Sequence, residues 1–200
     1  MTDRLAADAA NVARVAELLR DGHVVAFPTD TVYGVGVSGT RPDRLDALFA
    51  LKRRPTDRRI PMLVASLDDV IAAGFLPDAR ARRLAERFWP GALTLVMGEG
   101  AATQAFRAPD HPVALALIAA AGPIFATSAN ISDQPDTLGA DEVLIAFATD
   151  ADGLTAVLDG GAVPGGVAST VLDLSVDPAV ILREGPISRD ALAAAIPLAD

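Results

Sequence analysis

The sequence predicts an α/β or α+β fold: a β-sheet of mixed strand direction together with helices, in one domain. Three observations predict it. Short apolar runs alternate with helical periodicities through the first part of the chain. Strand-like segments dominate towards the end. No repeat, low-complexity tract or linker divides the 200 residues.

The elements follow in order. Val12, Val15, Ala16 and Leu19 recur at helical spacing, so a helix is expected over about 8–20, and Gly22 can end it. "VVAF" (24–27) reads as a buried strand stopped by Pro28. After Pro42, Leu45, Leu48, Phe49 and Leu51 share one helical face; this helix is expected to run to Pro55. "MLVA" (62–65) is a strand, and Ser66 followed by two acids is a helix start. A helix over 78–88, a turn at "WPG" and a strand "ALTLVM" come next. A short helix after Pro112, the strand "PIFAT" (123–127) and a helix over 141–149 follow. Strands in "TAVLDGG", "STVLDL" and "AVILREG", then a helix in "SRDALAAAI", complete the pattern.

Composition excludes several chemistries. Hydrophobic residues make up 51% and charged residues 22%, which suits a packed core rather than disorder. The chain has no cysteine, hence no disulfide, thiolate metal site or thiol nucleophile. Its two histidines, His23 and His111, cannot form a metal cluster by themselves. The N-terminal stretch lacks a signal-peptide core, and no apolar run reaches the ~20 residues of a membrane span. A cytoplasmic location with no membrane association is therefore expected. The net charge of −9 argues against general nucleic-acid binding. Two basic stretches stand against it, "KRRPTDRR" (52–59) and "RARRLAER" (80–87), although a charge run is commonly just a solvated face.

One pattern points to a ligand. Apolar strands end repeatedly in small hydroxyl or amide residues: "VVAF" in "PTDT", "PIFA" in "TSAN", "AS" ahead of "TVLDL", and "VIL" in Arg183. In open α/β sheets ligand sites gather at strand ends, and basic residues there attract phosphate or carboxylate. Each piece alone also reads as something plainer. "TDT" and "TSAN" suit capping or Asx turns, Lys52 and Arg54 suit an exposed helix end, and Arg107 suits a surface turn. The glycines fit neither the dinucleotide nor the P-loop pattern, and no Ser-His-Asp or metal-ligand constellation is present.

Taken together and in order, "VVAFPTDTVYGVG", "ALKRRP", "FWPGALTLV", "FRAPDHPVA", "PIFATSANIS", "LDGG", "GVASTVLDL" and "ILREGPIS" resemble the YrdC family of threonylcarbamoyl-AMP synthases. The resemblance covers about 24–188 and includes that family's Lys-x-Arg and Ser-x-Asn signatures at Lys52, Arg54, Ser128 and Asn130. It implies a twisted, mixed sheet with flanking helices around a large positively charged cavity. It implies that threonine and bicarbonate give N-carboxythreonine, whose carboxylate attacks the α-phosphate of ATP to yield threonylcarbamoyl-AMP and pyrophosphate. A separate tRNA threonylcarbamoyl transferase would consume the product, and weak tRNA binding is compatible with the reading. Mg2+ is expected to accompany ATP, held mostly by phosphates and water. By residue, the resemblance puts Lys52, Arg54, Thr103, Ser128, Asn130 and Arg183 on ATP. It puts Thr29, Arg107 and Ser169 on threonine, with Thr31 and Tyr33 along the pocket wall. No general acid or base is implied, because joining two anions calls for positioning and countercharge, here Lys52 and Arg54. Arg107 is expected to grip a carboxylate with its planar fork.

The chain departs from that family's commoner pattern at Ala65 (histidine elsewhere), Ala168 (glutamate elsewhere) and "DQPDTL" after "SANIS". The last change places Asp133 and Asp136 near the expected ATP loop, where inward-facing carboxylates would oppose phosphate. The sequence ends shortly after the motifs and so resembles the short bacterial form. Two other readings compete: an RNA-binding module using residues 52–59, and a carbamoyl-transfer paralogue. The overall acidity opposes the first. The intact Lys-x-Arg and Ser-x-Asn oppose the second.

Overall fold

The computed structural model describes residues 2–56, 58–100, 102–150 and 153–199. Among these, ten strands form one mixed sheet: β1 (Asp3–Ala6), β2 (Val25–Phe27), β3 (Gly34–Ser38), β4 (Met62–Leu63), β5 (Leu93–Glu99), β6 (Ala102–Arg107), β7 (Ile124–Ser128), β8 (Ala156–Asp159), β9 (Thr170–Asp173) and β10 (Val180–Arg183). Their spatial order is β1-β8-β2-β3-β7-β4-β6-β5-β9-β10. β8 runs parallel to β1 and β2, β4 parallel to β6, and β5 parallel to β9; the remaining neighbours are antiparallel.

Among the described residues seven α-helices flank the sheet: α1 (Ala9–Arg20), α2 (Leu45–Lys52), α3 (Leu67–Ala72), α4 (Ala79–Phe88), α5 (Pro112–Ala121), α6 (Ala140–Ala146) and α7 (Arg189–Ala193). The apolar period of α1 places Val12, Val15, Ala16 and Leu19 in the core, with Asp8 capping its start. β2 shows how the sheet separates two cores. Val25 and Phe27 pack with α1 and α5, whereas Val24 and Ala26 face a cluster that includes Leu48 and Val143. Full burial of each such large side chain contributes roughly 1.5–3 kcal/mol. A third cluster, with Leu84, Leu93, Phe106 and Leu192, supports the half of the sheet from β4 to β9.

Several sequence expectations need correction. β1 was not expected; it is a mostly exposed edge strand, and its "DRLA" offers only Leu5, partly buried against the α1 cluster, which is too little for a strand pattern. β3 was not expected either, because "GVGVS" reads as turn-forming. Its glycines answer a packing demand: a Cβ on Gly36 would stand 2.4 Å from the Phe125 carbonyl oxygen of β7. β6, "ATQAFR", has no counterpart among the expected elements; it lies between β4 and β5, and Arg107 ends this strand rather than standing in a surface turn. The helix expected to run to Pro55 stops at Lys52, where Arg53 turns left-handed (φ 50°). The strand expected over 62–65 shortens to β4. The Ser66 start is a full capping box with Asp69. Asp57, the single acid of the basic stretch, lies outside the described residues.

Candidate active site

The opening of the site is a self-bonded turn. After β2 the chain must leave the sheet at Pro28. Thr29 Oγ1 then donates to the Val32 carbonyl (2.7 Å) and accepts from the backbone N–H groups of Thr31 and Val32. The turn is clamped from outside by the 160–168 loop. The N–H of Gly166 donates to the Thr31 carbonyl at 2.9 Å, and a Cβ on Gly165 would lie 1.8 Å from that same oxygen. Only glycine permits this approach.

A cavity of about 520 Å³ opens beside the turn, within the range of small-molecule sites. It lies over one face of the sheet rather than only at strand ends, as had been expected. Its lining follows the two-residue period of strands: Thr94 and Val96 on β5, Thr103, Ala105 and Arg107 on β6, Val171 and Asp173 on β9. Small residues at Gly34, Ala105 and Ala126 leave the space unfilled.

Eight of the eleven expected site residues line this cavity: Thr29, Thr31, Arg54, Thr103, Arg107, Ser128, Ser169 and Arg183. Four arginines and one aspartate, Asp173, are among its lining residues. Arg107 is 7% exposed. Its Nε donates to the Gly91 carbonyl (3.0 Å), Nη1 to Thr31 Oγ1 (2.9 Å) and Nη2 to Asp30 (2.6 Å). The fork is thus not free, as the carboxylate-gripping expectation required. Three of its five N–H groups are engaged, leaving one on each terminal nitrogen. Burial lowers the pKa of this guanidinium, and Asp30 pulls it back. Ser169 is held from two sides. Its hydroxyl lies 2.8 Å from Thr94 Oγ1, while Arg183 donates to its carbonyl (2.9 Å) and its Oγ (3.2 Å).

Arg54 reaches the cavity, and its Nε is buried without a hydrogen-bond partner. A buried N–H left unmatched costs about 1–3 kcal/mol, so this nitrogen is a local cost of the placement that brings Arg54 to the cavity. Thr103 is already bonded, through both its carbonyl and its hydroxyl, by Arg59 Nη1.

Three expected residues do not line the cavity. Tyr33 is fully buried in the core cluster that contains Val35 and Leu48, and its hydroxyl donates to the Gly161 carbonyl (2.7 Å); it is not a wall residue. Strand alternation explains this, since Gly34 faces the cavity and its neighbour Tyr33 faces away. Lys52, 1% exposed, turns its ammonium under the end of β7. Asn130 sits beside it, 6% exposed. Asp133 and Asp136 do not line the cavity either. Asp133 pairs with Arg58 at the surface (3.4 Å), so its charge does not face inward.

Sequence reasoning missed Arg59, Thr94 and Asp173. Thr94 was hidden because "ALTLVM" is apolar at all its other positions. Its one polar residue two places from Val96 was the available signal. Among the described residues, no group of three or more His, Cys, Asp or Glu could hold a metal ion, and no helix is long and apolar enough to cross a membrane.

Comparison with known proteins adds to this geometry. The Sua5/YciO/YrdC family, described as telomere recombination, matches residues 17–185. A Bacillus subtilis threonylcarbamoyl-AMP synthase is 39% identical over 98% of this chain, and a Pyrococcus abyssi one is 39% identical over 85%. The chain spans 59% and 52% of their respective lengths. The structure of P. abyssi Sua5 complexed with L-threonine superposes with a TM-score of 0.86 at 32% identity, covering 100% of this chain and 62% of that one.

Proposed function

This chain belongs to the Sua5/YciO/YrdC family, and from that premise we propose that it condenses L-threonine, bicarbonate and ATP into threonylcarbamoyl-AMP and pyrophosphate. The single observation that carries the reading is one cavity that joins Arg54 to Arg107 and the Thr29 turn. The first suits a phosphate, the second a carboxylate. The relatives' names and the threonine complex of P. abyssi Sua5 support the same pairing of substrates.

The chemistry asks for countercharge. The threonine amine takes up bicarbonate with loss of one water to give N-carboxythreonine; its carboxylate attacks the α-phosphorus, and the bond from that phosphorus to the pyrophosphate oxygen breaks. Arg54 and Arg183 would offset the repulsion between the two anions and the charge on the leaving group. The two remaining N–H groups of Arg107 would hold the threonine carboxylate, with the Thr29 turn and Ser169 at its flank. Magnesium would enter as the magnesium complex of ATP. Phosphate oxygens and water would carry most of its coordination, since Asp173 is the one carboxylate among the cavity's lining residues. The adenylate would then pass to a tRNA-modifying transferase.

The test is direct. Incubation with MgATP, threonine and bicarbonate should yield the adenylate by mass spectrometry, with pyrophosphate release requiring threonine and bicarbonate together. ATP turnover of equal rate without threonine would identify an ATPase instead.

A further inference from the structure

The geometry points to Lys52 as a positioning residue that fixes the Ser128–Asn130 loop from beneath, rather than as a ligand of the nucleotide. An ammonium has three N–H donors. Lys52 Nζ donates to the Ser128 carbonyl, to the Asn130 carbonyl (2.7 Å) and to Asn130 Oδ1 (3.1 Å), so all three are accounted for. Its own carbonyl accepts from the Ser132 N–H at 3.0 Å, so the same residue holds the loop at both ends of its side chain. The loop is closed further by Ser128 Oγ donating to Asn130 Oδ1 (2.7 Å) and by the Asn130 amide donating to the Gln134 carbonyl. Lys52 is absent from the cavity lining, whereas Ser128 belongs to it.

Two residues along the chain, Arg54 does the opposite. The left-handed turn at Arg53 separates them, sending Lys52 under the loop and Arg54 into the cavity. The signature Lys-x-Arg thereby splits into a support and a contact. The charged groups acting on Nζ are Arg54 from its own segment and Asp136 from the loop after β7; Asp133 of that loop is paired with Arg58. Burial, reinforced by Arg54 and opposed by Asp136, pushes the Lys52 ammonium down to about 8. Loss of its proton converts one donor to a lone pair facing a carbonyl or amide oxygen, and the loop loosens.

This inference rests on the ATP-binding reading above, and its test separates the two. Binding of a β,γ-imido ATP analogue to the full chain is measured by calorimetry for wild type, Lys52→Met, Ser128→Ala and the double variant, with circular dichroism to check folding. Hydrogen bonds to a charged group are worth about 1.5–3 kcal/mol, so Lys52→Met should weaken binding roughly 10- to 150-fold. Ser128→Ala should add little to that loss, because both act through one loop. In wild type, affinity should fall above pH 8. Asn130→Asp places a carboxylate beside Nζ and should move that break upward, which keeps the idea testable where Lys52→Met does not fold. Additive losses, or affinity that is flat from pH 7 to about 9.5, overturn the positioning role alone. Absence of analogue binding by wild type overturns the functional reading with it.

Discussion

Arg107→Ala should do two separable things. The side chains of Arg107 and Asp30 are 9% and 16% exposed and 2.6 Å apart. Removing the cation leaves Asp30 as an unpaired, largely buried carboxylate and strips Thr31 and the Gly91 carbonyl of donors. Breaking a buried pair from one side costs about 3–5 kcal/mol, against about 0–1 for a surface pair. The same change should weaken threonine by roughly 10- to 150-fold, the worth of a charge-assisted hydrogen bond, while ATP-analogue affinity changes little. Asp30→Asn in the Arg107→Ala background separates the two. A neutral amide no longer carries a buried charge, so stability should recover by at least ~1.5 kcal/mol while threonine binding stays lost. The assays are guanidinium unfolding and calorimetric titration of each ligand. A stability loss under ~1 kcal/mol would refute the buried-pair argument. Equal weakening of both ligands would reduce Arg107 to a structural part.

Other outcomes follow from the same geometry. Arg54→Ala should cut adenylate formation by about 1.5–3 kcal/mol of transition-state stabilisation, whereas Arg53→Ala, at an exposed helix end, should cost under ~1 kcal/mol in initial rates. Tyr33→Phe removes a hydroxyl bonded to Gly160 and Gly161; it should lower unfolding stability by about 0.5–1.5 kcal/mol and leave threonine affinity unchanged. The depressed Lys52 implies a pH trend whose sign can be stated. Its folded pKa of about 8 lies below the ordinary 10.5, so the unfolded chain binds more protons between those values and stability rises with pH there. The gain approaches about 1.4 kcal/mol per pH unit, and Lys52→Met should lack it in unfolding titrations.

The fold was readable where one face of an element is buried and the other is not. The period of α1 named its four buried residues, and the Ser66 and Asp78 starts were both present. β1, β3 and β6 were unreadable for different physical reasons. An edge strand needs no apolar face, a closely packed strand can consist of glycines, and a cavity-facing strand carries the ligand's polarity rather than the core's. The site was legible as a set of residue types and motif spacings, and eight of the eleven residues named from them line one cavity. Direction was not legible. Whether Lys52 faces ligand or protein depends on the left-handed turn at Arg53, and no local preference of "LKRRP" specifies it.

That turn has an energetic consequence. A charged ammonium with 1% exposure is costly, and a chain selected for stability alone would place an apolar residue at that position. The three oxygens around Lys52 Nζ give the reason for keeping the charge, since two are loop carbonyls that a methionine would leave unbonded. Stability and nucleotide affinity should therefore move in opposite directions as pH rises past 8. Deprotonation relieves the burial cost and loosens the loop in one step. A residue that merely filled space would show neither trend, and a residue that touched phosphate would have its proton held by the bound nucleotide.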